Sequence, residues 1–191
     1  PRRRVALADY LARETGDPYA VWYCNENGNV TDDFDMRLYR IGNSDKAYPN
    51  NQLLPGDAPK AIWFKDLGEM VAHTNLSNYQ ENLFLSFRSS PFGSGSHTLS
   101  DQNSFNLHFR GVPVYRSTGY YLHFFDPHNL MSYRHTRAHN TMLIDGIGQP
   151  FSTKAYGKVV RMFDGKHISY SLGDASNAYC GISEYLMWIK N

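Results

Sequence analysis

Cysteine is nearly absent from this chain: 191 residues hold two, Cys24 and Cys180. That excludes a disulfide-dense scaffold, and the pair can be one bridge or two free thiols, so compartment cannot be read from it. Long apolar runs are also lacking. No stretch approaches the roughly 20 residues of a membrane span, and no signal peptide is visible. Nor is there an excess of charge of one sign. With 19 Lys and Arg against 18 Asp and Glu, the formal net charge is +1. Without a basic surplus nothing drives counterion release, so nucleic acid and a membrane surface are not expected partners. The run Arg2-Arg3-Arg4 is too short to change that. There is no internal repeat, Gly-rich phosphate loop, CxxC pair or GxSxG elbow, and phosphoryl transfer, dinucleotide binding and α/β-hydrolase chemistry lack their signatures. The chain begins at Pro1 without an initiator Met, which leads us to expect a processed piece of a larger protein.

What the chain does have is apolar residues (41%) and aromatics (15%, with 14 Tyr), ample for a packed core. Tyr and Trp suit contacts with sugars, although most such rings pack in or on sheets. Between residues 4 and 14, Leu7, Ala8, Leu11 and Ala12 recur at helical spacing on one face, and Gly16-Asp17-Pro18 ends the pattern. A second short helical or irregular stretch holds Tyr19 to Tyr23. Asn25 to Asp35 is polar and turn-rich; its Asp32, Asp33 and Asp35 lack the ligand spacing of a calcium loop. Gly42 to Lys60 reads as a linker rich in Pro, Asn and Gly. Beyond it the pattern changes to short strands: 61–64, 70–73, 82–87, 105–109, 112–115, 120–124, 141–144, 159–163 and 168–172. Arg110-Gly111 and Asp164-Gly165 read as hairpin turns. The expected fold class is therefore mainly β, an antiparallel β-sandwich or barrel preceded by a short helical segment. The expected domains are a helical tail over residues 1–42 and a β-domain over 43–191.

The chemistry-bearing stretch is Ser96-His97-Thr98-Leu99-Ser100-Asp101-Gln102-Asn103-Ser104-Phe105, after the small-residue run Pro91 to Gly95 and before an alternating strand. A glycine- and serine-rich loop leading into a strand is a usual place for a site. A lone loop His is a weak signal; the order of the surrounding blocks strengthens it. Phe87 to Ser94, Ser96-His97, Asp101 to Phe105, Gly111-Val112-Pro113, Ser117 to Tyr121, Thr136 to Thr141 and Ile144 to Gln149 follow one another at spacings that resemble the C-terminal β-domain of heparinase II/III-like polysaccharide lyases. The heparinase II and related alginate lyase branch is the most similar.

The resemblance implies an antiparallel β-sandwich after an (α/α) toroid, with residues 4–24 as the toroid's end or connector. It implies β-elimination across a uronic acid of an acidic polysaccharide, a periplasmic or secreted location, and a missing N-terminal toroid domain of the same protein as partner. His97 matches the His that the β-domain contributes to catalysis. Asp101 and Asn103 are expected to orient the loop, with Arg116, His139 and Asn140 as supporting residues, and Tyr120 and Tyr121 as platforms for sugar rings. The family's zinc ligands would fall at Leu99, at Arg116 or Ser117, and at His139. Only His139 keeps a donor, and Zn(II) needs at least three protein ligands, so no cofactor and no metal are expected. Arg116 is then expected to put a fixed positive charge near His139 in the metal's place. His135 and His139, four apart, are better read as loop pins than as a metal pair. Two other readings compete: a non-catalytic carbohydrate-binding or structural sandwich from a degenerate member, and a metal-dependent hydrolase on a jelly roll, whose ligand set is lacking.

Overall fold

A computed structural model describes residues 5–27, 34–119 and 123–179. The chain divides into two compact units, residues 1–58 and 59–191.

The first unit is helical. Helix α1 (Val5–Tyr10) runs on as a single wider turn over Leu11–Thr15, and Gly16, in the left-handed conformation, ends it. Helices α2 (Pro18–Asn27) and α3 (Phe34–Gly42) follow. The sequence pattern marks α1 and, through Ala8 and Ala12, part of its buried face. Leu7 is 48% exposed, while Val5, Asp9 and Ala12 are the residues turned inward. The face is set by Asp9, a fully buried carboxylate that an apolar-residue count passes over. It accepts hydrogen bonds from Arg13 Nε at 2.9 Å and from the Tyr48 hydroxyl. A buried carboxylate survives only with such partners, and burial beside Asp9 pushes the Tyr48 phenol well above its ordinary value. Residues 43–58 pack with the helices for this reason: Tyr48 bonds Asp9, Lys46 pairs with Glu14 and Leu53 N–H donates to Pro18 C=O. Helix α3 lies where no helical periodicity was read from the sequence. Cys24 is a buried free thiol in this core; Cys180 lies outside the described residues.

The second unit is antiparallel β. Strands β1 (Ala61–Phe64), β2 (Glu69–His73), β3 (Leu83–Arg88), β4 (Ser104–Phe109) and β5 (Val112–Tyr115) form a five-stranded meander; β6 (Lys158–Asp164) and β7 (Ser169–Asp174) form a separate two-stranded sheet. Alternation gives the meander one apolar face. Phe87 pairs with Met70 and Phe105, and Leu85 with Ala72 and Leu107, so all six side chains lie on the same side. β7 is applied to that side. A Cβ on Gly173 would meet Phe87 Cζ at 2.5 Å and Asn103 Oδ1 at 2.3 Å, and Asn103 Nδ2 donates to Gly173 C=O. Two antiparallel sheets packed in this way make a β-sandwich.

The turns follow the sequence in part. Arg110-Gly111 is a two-residue hairpin turn with both residues at positive φ, Phe109 facing Val112. Asp164-Gly165 instead opens a longer connection, because Asp164 still pairs with Ser169. Residues 141–144 are not a strand. Thr141 Oγ1 and Asn140 Nδ2 bond to the backbone of the 102–105 segment, and Asp145-Gly146 turns the chain so that Ile144 bridges only to Ile147. Most of the expected strand at 120–124 lies outside the described residues; Phe124 itself is in a turn.

Candidate functional site

The connection from β3 to β4, residues 89–103, carries His97. Its two roots are buried and its tip is not. Ser89, Ser90, Ser94, Ser100 and Gln102 are all essentially inaccessible, whereas Ser96 and His97 are exposed. Small hydroxyl residues suit these roots because a loop turned inward must satisfy its own backbone. Gln102 shows how. Its Oε1 accepts from Ser90 N–H at 2.6 Å, joining the two roots. Its backbone N–H donates to Gln149 Oε1 at 2.8 Å, and its C=O accepts from Gln149 Nε2 and Thr141 Oγ1. Gln149 in turn donates its backbone N–H to Thr136 Oγ1. The loop is therefore clamped to the 136–149 segment by two interlocked amides.

The tip is a tight turn. Thr98 N–H donates to Gly95 C=O at 2.9 Å, the Thr98 hydroxyl donates to the same oxygen and accepts from Gly95 N–H, and Ser96 takes the left-handed conformation with φ 50°. His97 occupies the third position of this turn, held out from the fold. Behind it stands a ladder of flat groups. The His97 ring meets Phe124 edge-on at 5.0 Å, the Arg134 guanidinium lies 4.8 Å from the Phe124 centroid, and Phe151 lies 3.6 Å from that guanidinium. Arg134 also holds the turn and the residue that follows it toward β4: Nη2 donates to Ser96 C=O at 2.7 Å and its C=O accepts from Ser100 N–H.

Beneath the loop lies a charged row. Asp101 accepts from Arg88 Nε at 3.2 Å, and Arg88 Nη1 pairs with Glu69 across the β2–β3 ladder. Burial raises the Asp101 carboxyl above its ordinary value, against the pull of Arg88 and His139. Burial likewise lowers the His139 imidazole, against the pull of Asp101. His139 Nε2 is bonded to Tyr133 C=O at 3.0 Å. His135 uses Nδ1 to accept from Arg137 N–H and Nε, and its imidazole is lowered by burial and by Arg137.

The expected residues thus separate. Asp101 and His139 are electrostatic neighbours under the loop. Asn140 exchanges hydrogen bonds with Phe105 at the start of β4. Asn103, at φ 56°, points away from the tip and ties the loop to β7. Arg116 is exposed just after β5, and the guanidinium that acts on His139 is that of Arg88. Leu99 is half-buried and aliphatic. Tyr120 and Tyr121 lie outside the described residues. Sequence reasoning missed Arg134, Gln102, Gln149 and Phe124. Gln149 had a signal, closing the block Ile144 to Gln149; Arg134 had none, since a lone Arg outside any periodic pattern reads as surface charge.

Among the described residues no three His, Cys, Asp or Glu side chains come together in a way that could hold a metal ion, and no helix is long and apolar enough to cross a membrane. No curated protein matches the chain. The family model described as "Heparinase II/III-like, C-terminal" matches residues 57–182. Among solved structures, the fold is similar to heparan sulfate lyase HepC from Pedobacter heparinus, with TM-score 0.60 and 16% identity over 91% of this chain and 23% of that one. It is also similar to the heparinase III BT4657 gene product, with TM-score 0.58 and 13% identity over 88% of this chain and 22% of that one. The chain spans less than a quarter of the length of either.

Proposed function

Because the chain belongs to the heparinase II/III-like family through that family's C-terminal domain, we propose that it forms the β-sandwich side of a cleft that cleaves a uronate-containing polysaccharide, of the heparin, heparan sulfate or alginate kind, by β-elimination. The observation that carries this reading is the presentation of His97: an exposed imidazole at the apex of a doubly locked turn, braced by Phe124 and Arg134.

The chemistry fits that presentation. The C5 proton of a uronate is weakly acidic, and abstraction needs hydrogen-bond donors on the carboxylate and a base near neutral pH. The electron pair of the broken C5–H bond forms the C4=C5 double bond, the C4–O bond breaks, and the departing oxygen takes a proton. His97 is assigned one of the two proton transfers, imidazole being the commonest side chain in general acid–base catalysis. Asp101, His139, Asn140 and Asn103 hold the loop rather than react. The other side of the cleft belongs to the remainder of a longer protein, in keeping with the small share of its structural relatives that this chain spans. Tyr120 and Tyr121 are assigned to sugar contacts. The reaction is assigned no metal: Leu99 offers no donor and Nε2 of His139 is spent on Tyr133 C=O. A polymeric acidic substrate places the protein in the periplasm or outside the cell.

Elimination is told from hydrolysis by its product, because only elimination leaves an unsaturated uronate that absorbs in the ultraviolet. The complete gene product, assayed on heparan sulfate, heparin, alginate and a neutral glucan, is expected to raise that absorbance on at least one uronate polymer and not on the glucan. Depolymerisation without any rise in absorbance would overturn the reading.

A further inference from the structure

Beside the His97 turn lies a cavity of about 570 Å3 walled by Ser100, Arg134, His135, Gln149 and Phe151 together with the turn at 146–148. No acidic residue lines it. Two of its side chains have donors to spare. Arg134 spends Nη2 on Ser96 C=O, and its Nε and Nη1 groups have no acceptor among the described residues. His135 accepts from Arg137 at Nδ1, which puts its proton on Nε2, and that N–H also has no acceptor among the described residues. Gln149 is different: both ends of its amide are engaged with Gln102, so it forms wall rather than contact. The imidazole of His135 fits because position 148 is glycine; a Cβ there would stand 2.7 Å from His135 Cε1. Phe151 is 45% exposed and offers a flat apolar surface immobilised by the guanidinium stacked on it at 3.6 Å.

A fixed cation, a second N–H donor, no carboxylate and one open aromatic face form a set that matches a sugar ring bearing an anionic group. The location matters as much as the composition. Arg134 lines the cavity and also donates to Ser96 C=O in the turn that presents His97, so one side chain links an occupant of the cavity to that turn. We infer that this cavity is a subsite for an acidic sugar residue next to the scissile bond, taking a carboxylate or sulfate on Arg134 and His135 and the ring face on Phe151. The inference rests on the lyase reading, which supplies the polymer.

The test is calorimetric titration of the complete gene product in a His97→Ala background, which slows turnover. The probes are an unsulfated glucuronate-containing tetrasaccharide, its sulfated counterpart and a neutral tetrasaccharide. At least one acidic probe should bind about tenfold tighter than the neutral one, and Phe151→Ala and His135→Ala should each cost about tenfold. Phe163→Ala, a more exposed ring on β6 at 59%, should cost nothing. If Phe151→Ala does not fold, Phe151→Leu keeps apolar volume while removing the flat ring. Tight binding of the unsulfated probe assigns the anion as carboxylate, and of the sulfated probe alone as sulfate. Equal binding of acidic and neutral probes, no binding at millimolar saccharide, or cavity variants within twofold of the parent would each overturn the subsite. The two readings fail separately: variant-sensitive acidic binding without lyase activity in the His97 protein sinks the lyase reading alone, whereas His97-dependent lyase activity with variant-insensitive binding sinks the subsite alone.

Discussion

At Gln102 a single side chain closes a loop of fifteen residues, and its replacement shows what such an amide contributes. Leucine at this position fills similar space but leaves the buried Ser90 N–H without its acceptor. Gln102→Leu is therefore expected to lower stability by about 1–3 kcal/mol, measured by urea denaturation, the cost of an orphaned buried donor. His135 gives a dependence on pH. Burial and the Arg137 charge depress its folded-state value below the ordinary 6.5, and protonating Nδ1 would abolish the acceptor that Arg137 N–H uses. A depressed base stabilises the fold above its unfolded value, and that contribution is lost as pH falls through the folded one. Wild-type melting temperature should thus decline below about pH 6.5 more steeply than that of His135→Gln, whose side chain does not titrate. Parallel slopes would remove His135 from the acid response. At this scale the sequence showed the reactive candidate and hid its supports. His97 stands out as an imidazole in a polar loop, but Gln149 and Ser96, which bond Gln102 and Arg134, lie 47 and 38 residues from them and follow no period.

Among the elements, legibility tracked the physical basis of each pattern. Strands β1 to β5 could be read directly from short runs rich in β-branched and aromatic residues, although β5 is exposed at every residue. Arg110-Gly111 also announced its turn, and both residues take the positive φ that such a turn demands. Residues 141–144 carry the composition of a strand, yet Thr141 and Asn140 spend their side chains on the neighbouring loop and no ladder forms. Helix α1 was recognised with its buried face assigned in part: Ala8 and Ala12 pack in the core, Leu7 does not, and the organising residue is the charged Asp9. The sandwich depends on one close approach that composition conceals, Gly173 against Phe87 and Asn103. Gly173→Ala should cost about 1–3 kcal/mol through overpacking, read as a lower denaturation midpoint. A midpoint equal to wild type would mean that the β6–β7 sheet can shift away freely.

For the whole molecule, the ordered blocks from Phe87 to Gln149 carried the assignment, and they now have a physical explanation. The segments 94–105 and 136–149 interlock through Gln102, Gln149, Thr136 and Thr141 into one support for His97. What the sequence could not show is how that support leads into the adjoining cavity, since Arg134 and Phe151 meet there only in three dimensions. On the proposed reading, this support presents His97 for proton transfer in β-elimination. The most direct measurement of that role is kcat of His97→Ala in the complete gene product on its preferred uronate polymer, followed by unsaturated-uronate absorbance. The expected result is a fall of about 10²- to 10⁴-fold, the usual contribution of a positioned acid or base, with the protein still folded at the assay temperature by its melting curve. A rate within twofold of wild type would contradict the account.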